Sequence, residues 1–170
     1  MKRYQIVYES GEGNTRSIAE AIMVVFPAGS VELVDINTKT PSRDADAYCV
    51  GYGVHFGFCS MKLMNFMKQL NGKTVLLFAT CGLMPTGAYK KYLERNMKPF
   101  LPDCCNYKGM FLCQGAISDG GAAALRSSFK RVEDEKRLER LEDLIICART
   151  HPDFDDMDTA GSFVKTSLKL

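Results

Sequence analysis

Five short apolar runs, each followed by a polar turn and separated by segments of helical periodicity, set the pattern of this chain. Residues 4–8 (Tyr-Gln-Ile-Val-Tyr) are short, apolar and carry β-branched side chains, so they predict a buried strand. A small polar turn covers residues 9–15. Ile18, Ala21, Ile22 and Val25 then recur at helical spacing until Pro27 and Gly29 stop the helix. Val31 to Ile36 predicts a second strand, residues 38–46 a polar loop, and Ala47 to Tyr52 a third strand. The aromatic loop Gly53 to Ser60 leads into a helix that Ser60 can cap. Its face is Leu63, Met64, Met67 and Leu70, with Gly72 past its end.

Lys73 to Ala79 contains the unbroken run Val75-Leu76-Leu77-Phe78, which suits a parallel strand covered on both faces. After a turn over Thr80–Gly87, Tyr89, Tyr92, Leu93 and Met97 mark a helix ending near Pro99. Lys108 to Cys113 is the fifth strand, closed by Gln114-Gly115. The rest is helical: one segment over about 121–130, and another seeded by Glu133-Asp134-Glu135, acids suited to a helix N-terminus. The second carries the stripe Leu138, Leu141, Ile145 and Ala148. His151-Pro152-Asp153 breaks the chain before a last helix with Met157, Ala160, Val164 and Leu168. Strands alternating with helices imply an α/β fold with a parallel sheet and right-handed crossovers.

Composition narrows this picture. The 170 residues, 46% hydrophobic and 25% charged, suit one domain with a real core. A core over about 1–150 with a helical extension over 151–170 is expected. Lys and Arg number 22 against 20 Asp and Glu, a balance that argues against nucleic acid or an anionic membrane as main partner. No apolar run approaches the ~20 residues of a membrane helix. Met1-Lys2-Arg3 leads straight into the first strand without a separate apolar signal core, so a cytoplasmic protein is expected. Seven cysteines, an odd number without a framework, fit a reducing compartment. The two histidines, His55 and His151, cannot build a His-rich metal cluster, and no metal is expected.

The turn Ser10-Gly11-Glu12-Gly13-Asn14-Thr15 carries the chemistry. It joins the carboxyl end of a strand to the amino end of a helix, where free N–H groups and the helix dipole favour an anion. Gly11 and Gly13 let the backbone approach a phosphate, and Ser10, Asn14 and Thr15 can add side-chain hydrogen bonds. A Walker loop is excluded because no glycine–lysine–hydroxyl run is present. A dinucleotide fingerprint is excluded by Arg16 at its third glycine position. The acidic metal site of a response regulator is excluded because the third strand ends in Tyr52-Gly53.

On this turn the chain resembles the flavodoxin family, whose first loop reads hydroxyl-x-Thr-Gly-Asn-Thr. The resemblance covers most of the chain. It implies a doubly wound five-stranded parallel sheet of order 2-1-3-4-5 and one FMN held by three loops. The first loop would hold the phosphate. The second (Gly53, Val54, His55, Phe56, Gly57) and third (Thr80, Cys81, Gly82, Leu83) would hold the flavin faces and edge. Gly57, with Gly53 as competitor, is the candidate for a backbone carbonyl that turns toward flavin N5.

Two departures stand out. Glu12 occupies a position where the family has a phosphate-binding threonine, and its carboxylate repels a phosphate unless it points to solvent or Arg16 offsets it. No Trp is present, so flavin stacking falls to Tyr52, His55, Phe56 or Phe58, with loop anchoring or plain exposure as the alternatives. Cys81 lacks a paired His and reads as structural. Cys104-Cys105 is either a reduced surface pair or a strained disulfide. Cys49, Cys113 and Cys147 are expected as core fillers, and Met61, Met64 and Met67 as packing residues. The charged run Lys130 to Arg140 is expected as a solvated helix face with a Glu133–Arg137 pair.

The leading expectation is an FMN-binding electron-transfer protein serving redox partner proteins, as a monomer or homodimer. A flavin-dependent NAD(P)H oxidoreductase and a binding module with weakened FMN affinity stand beside it.

Overall fold

The computed structural model describes residues 4–129 and 135–170. Five strands, β1 (Tyr4–Tyr8), β2 (Val31–Asp35), β3 (Ala47–Gly53), β4 (Thr74–Cys81) and β5 (Asn106–Gln114), form one sheet in the order β2-β1-β3-β4-β5. All four pairings are parallel. β3 and β4 run slightly past their expected ends, so Gly53, Thr80 and Cys81 are strand-end residues. The helices are α1 (Asn14–Val24), α2 (Met61–Met67), α3 (Gly87–Met97), α4 (Asp119–Phe129), α5 (Glu135–Ala148) and α6 (Phe154–Leu168).

Alternation along each strand feeds two cores. Tyr48, Val50 and Leu77 point to one face and pack with Leu63, Met67 and Leu93 of α2 and α3. Ile6, Cys49, Leu76 and Phe78 point to the other and pack with α1 and α6. Gly51 makes one such contact possible: a Cβ there would lie 2.0 Å from the Phe78 ring. The Tyr48 hydroxyl donates to the Ser42 carbonyl and accepts from the Ala45 N–H, which fastens the 38–46 loop to β3.

The C-terminal packing differs from a core ending near residue 150. α6 lies along α1 and buries Ala160, Gly161 and Val164, so residues after 151 complete a face of the sheet. A Cβ on Gly161 would meet Val25 Cγ1 at 2.9 Å, and its absence lets α6 lie close to the end of α1. The pair α4–α5 has its own small cluster of Ala122, Leu141 and Ile145 with Ile117 and Leu125. Arg126 grips Glu142 with two N–H groups, at 2.6 and 2.7 Å, across that pair. Charged side chains alone could not place this cluster in the sequence, because its apolar stripe looks like any core-facing stripe.

Other expectations are corrected by exposure. Met61 and Cys147 are exposed, whereas Met64 and Met67 are buried as packing residues. Glu133 and its expected pair with Arg137 lie outside the described residues, as do Asp134 and the first residues of the run Lys130 to Arg140, and α5 starts at Glu135. Among the described residues no helix is long and apolar enough to cross a membrane.

Candidate functional site

β1 sits between β2 and β3, and the chain reverses its direction of winding there. Crevices open beyond the carboxyl ends of strands at such a switch point. A cavity of about 310 Å³ lies at that place, walled by the ends of β1, β3, β4 and β5 and the loops that follow them.

The first wall is the turn before α1. Gly13 has φ 95°, in the left-handed region that glycine adopts without steric cost, and turns the chain into the helix. Ser10 Oγ accepts from the N–H groups of Gly13 at 3.1 Å and Arg16 at 3.4 Å. The N–H groups of Gly11, Glu12, Asn14 and Thr15 have no protein acceptor among the described residues. They lie at the amino end of α1, where the helix dipole is positive and an anion is favoured. Because Ser10 Oγ accepts both of its bonds, its own hydrogen remains to be donated.

Thr15 and Thr80 form the floor. Their hydroxyl oxygens are 2.9 Å apart and buried, with Gly53 beside them: a Cβ there would be 3.7 Å from Thr15 Oγ1. Val54 donates its N–H to the Thr80 carbonyl at 2.9 Å, which stitches the second loop to β4. The far end of that loop is held by Glu9, whose carboxylate accepts from the Ser60 N–H at 2.8 Å and from the Ser60 hydroxyl. Ser60 in turn accepts from the Leu63 N–H and caps α2 as expected.

The structure brings together Ser10, Gly11, Glu12, Asn14, Thr15, Gly53, Val54, His55, Thr80, Cys81 and Gly82 around the cavity. It leaves four candidates out. Gly13 stands behind the first wall as the N-cap of α1. Phe56 is fully exposed and is not among the residues that line the cavity. Gly57 is buried against α3, where its carbonyl accepts from Asn96 Nδ2 at 3.2 Å, so the carbonyl is already engaged away from the cleft. Leu83 lines a separate groove with Tyr89 and Leu144. Tyr52 is fully buried in the sheet core and is not a stacking surface.

Two side chains do something other than expected. Asn14 Nδ2 donates to the Ala116 carbonyl at 2.9 Å, so Asn14 ties the first wall to the loop after β5. Arg16 pairs with Glu20 at 2.8 Å and does not offset Glu12. Glu12 is exposed and, among the described residues, is the one carboxylate lining the cavity. Burial pushes the Cys81 thiol up to about 12, so it stays protonated and non-nucleophilic near neutral pH.

The fourth wall was missed by sequence reasoning. Gly115, Ala116, Ile117, Ser118 and Gly121 close the cleft from the β5 side. Gly115 is packed so closely that a Cβ would lie 3.0 Å from Asn14 Nδ2, and one on Gly82 would lie 3.0 Å from Ile117. The available signal was Gly115 itself, a glycine directly after a strand on the ligand edge of the sheet. Among the described residues, His151, Asp153 and Asp156 are the one group with metal-ligand spacing. His151 Nδ1 is 2.6 Å from Asp156 Oδ2, and the acids also form the capping box of α6.

This fold, with its cleft at the switch point, defines a flavodoxin-type α/β protein. The chain belongs to the flavodoxin domain family, whose model matches residues 5–165. It is 28% identical to the flavodoxin-like domain-containing protein BilS of Clostridium symbiosum (strain WAL-14163), over 98% of this chain and 96% of that protein. It is 24% identical to the protein of the same name from Clostridioides difficile (strain CD3), over 96% and 94%. Among solved structures, the WrbA-like flavodoxin protein from Agrobacterium tumefaciens matches 99% of both chains at 14% identity with a TM-score of 0.54. Oxidised flavodoxin 2 from Bacillus cereus matches 98% of both at 15% identity with a TM-score of 0.53. At these identities the two structures share the fold with this chain.

Proposed function

We propose that the protein binds one FMN in the switch-point cleft and carries electrons between partner proteins. The observation that carries this reading is the set of N–H groups of Gly11, Glu12, Asn14 and Thr15 without a protein acceptor among the described residues, at the amino end of α1 and lining a cleft that is otherwise largely uncharged apart from the exposed Glu12 carboxylate. A phosphate suits the first feature and a planar ring system the second. Membership of the flavodoxin domain family supports the same ligand.

The residues fit the group. The first-loop N–H groups and the Ser10 hydroxyl would hold the phosphate. Val54 and His55 on one side and the strand ends at Thr80, Cys81 and Gly82 on the other would flank the ring, with residues 115–118 closing the cleft. Bound FMN would supply reversible electron transfer, while the protein orients it and sets its surroundings. The buried Thr15–Thr80 pair would close the floor of the cleft to water. Cys81, held protonated, adds no charge to the site.

One observation favours a weaker version of the same reading. The Glu12 carboxylate stands at the anion end with Arg16 committed to Glu20, so like-charge repulsion lowers phosphate affinity. The electron-carrier role is tested with FMN-loaded protein. Photoreduction followed by reoxidation with ferricyanide should proceed, and the protein alone should not consume NADH or NADPH. Steady NAD(P)H consumption without a partner moves the assignment to a stand-alone oxidoreductase.

A further inference from the structure

The second loop ends in a turn whose tip residue, Phe56, neither the core nor the cleft uses. His55 and Phe58 exchange both backbone hydrogen bonds, at 2.9 and 3.0 Å, and close a two-residue turn over Phe56 and Gly57. Both central residues have positive φ, 50° and 86°. Turns of this kind favour Asn-Gly, because an L side chain with a large substituent is disfavoured at the first position. Here that position holds a phenylalanine with 100% of its surface exposed.

The turn is fixed in place. Asn96 Nδ2 donates to the Gly57 carbonyl, and a Cβ on Gly57 would lie 3.0 Å from both Asn96 Nδ2 and Tyr92 Oη. The tip is therefore seated on α3, with Phe58 and Tyr92 partly exposed around it. The backbone that presents Phe56 is held, and aromatic side chains anchor protein interfaces.

The segment that carries the tip and α3 is basic in sequence. Residues 54–100 carry seven Lys and Arg against one Asp or Glu, whereas the rest of the chain carries 15 against 19. The one acid, Glu94, accepts from the Tyr107 hydroxyl at 2.7 Å. Arg95 lies over the Tyr92 ring at 5.7 Å, next to the tip, and Lys98 over Tyr107 at 5.3 Å. Lys91 is exposed on the same helix. An apolar centre with a charged rim is the anatomy of a transient protein interface.

We propose that the Phe56 tip and the basic face of α3 form a docking surface for a partner protein that presents an apolar pocket rimmed by carboxylates. Arg95 over the Tyr92 ring beside one apolar tip, with Lys91 exposed on the same helix, fits such a partner better than a polynucleotide track. His55 joins the tip to the cleft, so a partner seated on Phe56 lies beside the cleft mouth. The inference rests on the reading that the protein serves partner proteins, and it does not depend on which cofactor the cleft holds.

The test is photo-crosslinking from Phe56→p-benzoylphenylalanine in the native cell, with the same substitution at exposed Val24 of α1, on the other face, as control. The cross-linked protein is identified, purified and titrated against wild type, Phe56→Ala and Lys91→Glu/Arg95→Glu. FMN binding and urea midpoints of the variants are measured in parallel, so that failure of docking and failure of the cofactor assignment are distinguishable. The proposal expects one protein cross-linked from position 56 and not from position 24. Its affinity should fall at least tenfold in each variant and weaken with added salt. A cross-link to a second copy of this chain, to nucleic acid, equally from both positions or to nothing overturns it. So does a loss of affinity below tenfold in either variant.

Discussion

The hydroxyl oxygens of Thr15 and Thr80 lie 2.9 Å apart beneath the cleft, joining the first turn of α1 to the end of β4. The two residues are 65 positions apart in sequence, and both are buried. Replacing either one by Val leaves the other hydroxyl without its partner, which costs ~1–3 kcal/mol. Thr15→Val/Thr80→Val removes both groups and should cost less than the two single changes added together. Urea unfolding of the three variants measures this non-additivity.

Gly115 is held to hydrogen by Asn14. A methyl group there would lie 3.0 Å from Asn14 Nδ2, forcing apart the contact that ties the first wall to Ala116. Gly115→Ala should destabilise the fold by ~1–3 kcal/mol, the range for overpacking. It should also weaken FMN binding, whereas Gly29→Ala, remote from the cleft, should leave FMN binding unchanged. Chemical unfolding and FMN titration of the two variants separate these effects.

Glu12 faces the anion end of the cleft from the surface, where solvent screens it. Glu12→Thr should raise FMN affinity roughly two- to fivefold, in keeping with exposed charge pairs. The gain should shrink as salt is added. Unchanged affinity would show that the carboxylate never opposes the phosphate.

Burial pushes the thiols of Cys49, Cys59 and Cys81 from 9.0 up to about 12. The unfolded chain releases these protons first, so above pH 9.0 it holds fewer protons than the folded chain. Stability should therefore fall as pH rises from 9.0 toward 12, and not change through these thiols at lower pH. Near neutral pH, iodoacetamide should label exposed Cys104 and Cys147 in the native protein and spare Cys49, Cys59 and Cys81 until it unfolds. Urea midpoints across pH and mass spectrometry of the labelled chain check both statements.

The strands, the order of the helices and three of the four cleft walls were legible because polar turns interrupt runs of clear period. The fourth wall was not, since residues 115–118 have neither period nor charge and gain their place through Asn14, a contact spanning 102 positions. The fate of Phe56 and Gly57 was hidden for a similar reason. A loop of aromatic residues reads alike whether it covers a ligand or turns back onto a helix, and the deciding partners, Tyr92 and Asn96, come much later in the chain. The packing of α6 along α1 was not legible, because an apolar stripe does not say which surface it covers. Gly161, which lets it meet α1, gave the sequence-level clue.

The central claim is that the N–H groups at the head of α1 hold the phosphate of FMN. The most direct test is to titrate the purified protein with FMN and with riboflavin, which lacks the phosphate, following flavin fluorescence. The account predicts one FMN per chain and binding at least tenfold weaker for riboflavin. Equal affinity for the two, or no binding of FMN at saturating concentration, would contradict it.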